Sequence, residues 1–204
     1  MPACAAPRPA SAEARLLAIA ADHLRRLGPD RLTVVGVAAE AGMTHAAVYR
    51  YFPSRAALVE AVAERWLRGL EAALGAIADA PDPADDKLER LLLALSARQR
   101  EALEAEPHLF AVHAEATAAG RPIARRHRTR LAALVDRVVE EGVATGVFAP
   151  GDRERALGLV FDAGHRFIHP ASIRLDAAMP RSLVEARLGA LIAVVRRALR
   201  MRAA

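Results

Sequence analysis

The sequence predicts an all-α protein: a small three-helix head joined by a long helix to a larger C-terminal helical bundle. Three observations lead there. Apolar residues recur every three or four positions along nearly the whole chain, the period of a helix with one buried face. No window sustains the apolar/polar alternation of a half-buried strand. Proline falls where the helical period breaks, at Pro107, Pro122, Pro150, Pro170 and Pro180, positions that suit helix starts or interhelical loops.

Each element has its own signals. Ser11 is the N-cap of a first helix with Glu13 in its opening turn, and Leu16, Leu17, Ile19, Ala20 and Leu24 form its apolar face until Gly28-Pro29 stops it. Thr33 opens a short second helix through Val34, Val37 and Ala38, which Gly42 ends because glycine takes positive φ without a Cβ clash. Thr44 caps a third short helix, His45 to Tyr51, closed by Pro53 and Ser54. A long amphipathic helix follows from Ser54, carrying Leu58, Val62, Trp66, Leu70, Leu74 and Ile77 at helical spacing. Beyond a loop at 79–83, helices are expected at about 85–105, 107–118, 121–145, 152–169 and 181–201. The organisation is then a flexible tail over 1–10, the head over 11–53, a connecting helix over 54–79 and the bundle over 80–204.

With 53% hydrophobic and 26% charged residues, the chain has ample apolar material for a core and no signature of global disorder. Its longest uncharged run, Gly142 to Gly151, is half of the roughly 20 residues a bilayer helix needs, so no membrane span and a cytoplasmic location are expected. One cysteine, Cys4, excludes an intramolecular disulfide or a thiolate metal cluster within one chain. The net charge is +5, and within residues 1–55 seven arginines face four acids, an imbalance that allows a phosphate-facing surface. Only Lys87 among the 29 basic residues is lysine, a bias that a G- and C-rich genome would write equally well.

The second and third helices flank the tight turn Ala41-Gly42-Met43-Thr44, with small or aliphatic Val37, Ala38, Ala41, Met43 and Val48 where closely crossing helices must meet. This is a helix-turn-helix, in which one helix braces another in the DNA major groove. The ungapped stretch Thr33 to Leu58 sets Thr33, Ala38, Gly42, Tyr49, the run Tyr51-Phe52-Pro53-Ser54 and Leu58 at fixed offsets. It resembles the signature of TetR-type transcriptional regulators, and with the preceding helix the likeness spans about residues 13–62.

The resemblance implies a DNA-binding surface. Thr33 and Thr44 match positions that cap helices and touch the sugar-phosphate backbone, and Tyr49 matches a phosphate contact. Arg55 stands where the family usually has lysine and keeps the charge a phosphate would meet. His45, Ala46 and Ala47 occupy the exposed first turn of the reading helix, with Arg50 further along, able to reach guanine or phosphate. Tyr49, Tyr51 and Phe52 also fit as core aromatics, Phe52 best of the three. Three departures stand out. Gly36 replaces a common acid and softens the second helix, Ala46 replaces a frequent glycine, and Ala56 replaces another acid.

For the bundle, the resemblance implies a homodimer built on the last two helices and a cavity for a small-molecule effector of unknown identity. Candidate interface residues are Leu157, Val160, Phe161, Ile168, Leu183, Leu188, Leu191, Ile192, Val195 and Leu199, each of which fits the intramolecular core equally well. Candidate pocket residues are Trp66, Leu70, Phe110 and His113. His165 and His169, spaced i, i+4, are two imidazoles without a third ligand at a matching offset, so no metal site is assigned. The basic run Arg121, Arg125, Arg126, Arg128 and Arg130 reads as a solvated face balanced by Glu115 or by Asp85 and Asp86. No nucleophile with a base, phosphate loop or carboxylate pair has convincing spacing, so neither an enzyme nor a cofactor is expected. The expected partners are an operator in double-stranded DNA and a second copy of the chain, and the expected role is repression relieved by the effector.

Overall fold

The computed structural model describes residues 11–201; the expected tail over 1–10, with Cys4, lies outside the described residues. Ten helices and no strand occur among the described residues: α1 (Ala12–Leu27), α2 (Val34–Glu40), α3 (His45–Tyr49), α4 (Arg55–Ala78), α5 (Ala84–Ala105), α6 (Pro107–Ala118), α7 (Pro122–Ala144), α8 (Arg153–Ile168), α9 (Pro170–Leu175) and α10 (Arg181–Arg200). The all-α expectation holds. The chain divides into two compact units, Met1–Arg65 and Trp66–Ala204, so the division falls inside α4 rather than at its two ends.

In the first unit, the head, each helix start is closed by a hydroxyl. Ser11, Thr33, Thr44 and Ser54 accept hydrogen bonds from the backbone N–H groups of Ala14, Gly36, Ala47 and Ala57 at 3.0–3.2 Å. Such caps contribute about 1 kcal/mol each, a large share of what holds helices as short as α2 and α3. The helices close over Leu16, Leu24, Leu32, Val37, Val48 and Leu58, all fully buried. α3 is shorter than expected, ending at Tyr49, although Tyr51 and Phe52 still donate to the Val48 carbonyl at 3.0 Å.

The second unit, the body, is built on α5. Its Leu88, Leu91 and Leu92 pack with Val135, Val138 and Val139 of α7, Val160 of α8, and Leu188, Ile192, Val195 and Leu199 of α10. Phe148 completes this core by lying across Gly142 so closely that a Cβ there would sit 2.1 Å from its ring. Lys87 is 3% exposed, and its ammonium donates to both carboxylate oxygens of Glu141, at 2.7 and 2.8 Å.

Two sequence expectations need correction. Pro170, read as a loop or helix start, opens the unforeseen helix α9, with the His169 Nδ1 as N-cap acceptor for Ala171 N–H at 3.3 Å. Proline suits that first helical position because its missing N–H would have no intrahelical partner. Five candidate interface residues, Val160, Leu188, Ile192, Val195 and Leu199, are 1–3% exposed and belong to the core, so they have no surface left for a partner. Leu157, Phe161 and Leu191 pack half-buried against that core, and Ile168 packs on the cluster of Leu74, Leu95 and Leu131. Helical periodicity cannot tell a core-facing stripe from a partner-facing one.

Candidate nucleic-acid interface and ligand cavity

α3 is anchored on one side only. Val48 is fully buried, while His45, Ala46, Tyr49 and Arg50 are exposed and Ala47 half-exposed. The buried Val48 fixes the rotation of this short helix and so decides which side chains face outward. His45 and Tyr49, one turn apart, meet edge to face with ring centroids 4.7 Å apart, which holds the imidazole against the phenol. Tyr49 and Tyr51 are 40% and 41% exposed, and Phe52 is buried, so the two tyrosines separate from the core aromatic as their pattern allowed.

The brace behind α3 is polar and specific. Arg15 of α1 donates to the Ala41 carbonyl at 2.9 Å, and His23 pairs with Glu40 at 2.7 Å, fixing α1 to the end of α2. Gly36, the departure from the family pattern, sits where a Cβ would come within 3.0 Å of the Thr33 cap oxygen and 3.4 Å of the His23 ring. Its lack of a side chain therefore makes room for the cap.

Arg55 is held by the head's own backbone. Its Nε donates to the Leu32 carbonyl at 2.7 Å and its Nη2 to the Pro29 carbonyl, so the guanidinium fastens the start of α4 to the loop between α1 and α2. The charge remains at the surface, but the fork is turned toward the head's own backbone. Thr33 and Thr44 are exposed with their hydroxyls engaged as caps.

The body contains a cavity of about 660 Å³. Its inner end is polar, formed by Gln99, His113 and His127, each 2–3% exposed. Leu131, Phe161 and Ile168 supply apolar wall, and exposed Arg125, Arg128, Asp162 and His165 stand with His169 at the mouth. Of the expected pocket residues only His113 lines this cavity. Trp66 and Leu70 line a separate hollow of about 350 Å³, where the indole N–H donates to Glu106 at 2.5 Å. Phe110 is fully buried and carries the Arg174 guanidinium 5.6 Å from its ring centre.

The electrostatics of the inner end rest on Glu71 of α4. Burial raises its affinity for a proton, but hydrogen bonds from His127 at 2.6 Å and Arg130 at 2.5 Å outweigh that and hold the carboxyl below its ordinary range. His113 is pushed down to about 3 by burial, with His127 and His169 adding repulsion, and is neutral at physiological pH. His165 and His169 stack with centroids 4.5 Å apart, and burial together with the neighbouring His165 lowers His169 as well. Among the described residues no group of three or more His, Cys, Asp or Glu is arranged to hold a metal ion. No helix among them is long and apolar enough to cross a membrane. The basic run on α7 divides. Arg121 pairs with Glu115 at 2.6 Å as expected, Arg130 holds Glu71, and Asp85 and Asp86 instead meet Arg196 of α10.

Comparison with known proteins bears on both units. The model of the bacterial regulatory proteins of the tetR family matches residues 16–62, and that of the tetracyclin repressor-like C-terminal domain matches residues 84–191. No curated protein matches. A crystal structure from Mesorhizobium loti MAFF303099, assigned to a TetR-family transcriptional regulator, superposes with a TM-score of 0.70 at 17% identity, covering 93% of this chain and 97% of that one. A protein of unknown function from Rhodococcus sp. RHA1 gives 0.69 at 27% identity, covering 96% and 100%. RolR in complex with resorcinol gives 0.59 at 23% identity, covering 95% of each. A head that offers an α3 face to solvent over a braced α2, followed by a helical body matched over more than half of the chain, belongs to the TetR family of DNA-binding, non-enzymatic transcriptional regulators.

Proposed function

We propose that this TetR-family regulator is a cytoplasmic homodimeric repressor that holds a near-palindromic operator and releases it when a small molecule fills the cavity of the body. The observation that carries the reading is the capped α3, which shows His45, Ala46, Tyr49 and Arg50 to solvent from a fully buried Val48. Thr33, Thr44 and Tyr49 contact phosphates in this reading. His45, Ala46 and Ala47 read base edges, and Arg50 reaches a guanine or a phosphate. Arg55 supports the surface by holding the loop behind it. Residues 11–53 thus bind DNA, 54–79 connect, and 80–204 bind effector and dimerise.

One α3 covers only a few base pairs, so two copies related by twofold symmetry give a palindromic preference. The exposed apolar residues on α10, Leu183 and Val194 at 47% and 65%, with Leu159 on the adjoining α8 at 41%, are the surface available for a second copy. The effector then acts as a coupling free energy: it favours a body geometry that DNA disfavours, and operator DNA weakens effector binding by the same factor.

The test is selection of fragments from the source genome by the purified chain. Enrichment of near-palindromic sites, with affinity falling steeply as salt rises, is expected. Retention of random competitor equally well at low ionic strength overturns the reading. Val194→Arg is expected to give monomers in sedimentation and to lose operator binding with the fold intact.

A further inference from the structure

The inner end of the body cavity holds three polar atoms with no hydrogen-bond partner: Gln99 Oε1, His113 Nδ1 and His127 Nε2. Buried polar atoms left unpaired cost free energy, so three of them converging on one cavity mark what a ligand must bring. Their orientations follow from their neighbours. Glu71 accepts from His127 Nδ1–H, which fixes that ring with its Nε2 unpaired at the cavity. Gln99 Nε2 lies 3.5 Å from His113 Nε2 and donates toward it, so the neutral His113 ring carries its proton on Nδ1 and is a donor. Gln99 Oε1 is an acceptor.

A donor beside an acceptor fits a hydroxyl, which donates and accepts at the same atom. A carboxylate there would face the lone pairs of Gln99 Oε1. An ammonium would find Glu71 already taken by His127 and Arg130. Beyond this end the wall turns apolar at Leu131, Phe161 and Ile168, and at the mouth two guanidinium groups, Arg125 and Arg128, stand against one carboxylate, Asp162. We propose that the cavity takes an apolar-bodied hydroxy acid, inserted hydroxyl first, with its carboxylate left at the arginine-flanked mouth. The inference rests on the reading of the cavity as the effector site and names the effector's chemistry. Because His127 is hydrogen-bonded to Glu71 of α4, occupancy of its free nitrogen acts directly on that helix.

Calorimetric titration of the full chain without DNA tests it, using two unrelated scaffolds. 6-Hydroxy-2-naphthoic acid and 12-hydroxydodecanoic acid are compared with 2-naphthoic acid and dodecanoic acid, and with the dicarboxylates of the same skeletons. Each hydroxy acid is expected to bind about tenfold or more tightly than its parent acid, and the dicarboxylates no more tightly than the parents. Gln99→Leu is expected to keep parent-acid binding and lose most of the hydroxyl advantage, whereas Arg128→Ala weakens hydroxy and parent acids alike. Absence of binding, or no hydroxyl advantage on either scaffold, overturns the inference, and so does an advantage that survives Gln99→Leu. Hydroxyl-dependent binding that leaves an operator complex intact sustains the inference and overturns only the effector reading.

Discussion

The head and the body keep their chemistry on opposite sides of the solvent boundary. In the head the reactive groups are outside: His45, Tyr49 and Arg50 are exposed, and what lies beneath them is apolar. In the body they are inside: Glu71, Gln99, His113 and His127 are buried, and each depends on partners far away in sequence. A surface that binds a polyanion can borrow solvent to satisfy its polar atoms until DNA arrives. A cavity cannot, so its polar atoms must be paired by the fold or by a ligand. Substitutions should therefore cost stability in the body and binding in the head, and four experiments press on that division.

The largest effect is expected at Gly142, where a Cβ would overlap the Phe148 ring and force the core apart. Gly142→Ala is expected to cost about 3 kcal/mol and lower the thermal midpoint clearly. An unchanged melt would mean that Phe148 has room to move. The second is pH. The folded state keeps His113 neutral down to about 3, while the unfolded chain takes up that proton near 6.5. The unfolded state binds more protons between these values, so stability is full above pH 6.5 and falls on acidification, by about 1 kcal/mol per pH unit at first. His113→Leu should flatten that slope in denaturant titrations between pH 5 and pH 7.

Arg55 tests the division from within the head. Removing a guanidinium that donates to two loop carbonyls is expected to lower stability by about 1–2 kcal/mol, while the dependence of DNA affinity on salt stays as in the parent. A salt slope reduced by about one on Arg55→Ala would instead restore Arg55 to the phosphate contacts. Smallest in stability is His45→Ala, at an exposed position: the melt should hardly move, while preference at one operator base pair relaxes by about 1 kcal/mol in competition binding.

The head was legible because its function is local. Caps, turn glycine and the outward residues of α3 lie within one stretch of sequence, and each cap hydroxyl lies three residues before the N–H it accepts from. What spacing does not determine is where a long side chain turns, as at Arg55, whose guanidinium lies on the Leu32 and Pro29 carbonyls. The body was legible only as helices. Glu71 and His127 are 56 positions apart, so no local pattern announced their hydrogen bond, and the cavity wall took Phe161 and Ile168 from residues first assigned to an interface. Trp66 and Phe110 are large apolar rings, which serve core and cavity equally well. The exposed Leu159 and Val194 went unremarked because an outward apolar residue looks the same in sequence as an inward one.

Burial of the chain's one lysine has a practical consequence. Its Nζ is enclosed by Glu141 and the Ala78 carbonyl, so the folded protein offers amine-directed reagents no accessible side-chain target. Acylation at Lys87 would then register opening of the body, making a single covalent label a reporter of its breathing, while arginine-selective dicarbonyls would map the rest of the cationic surface.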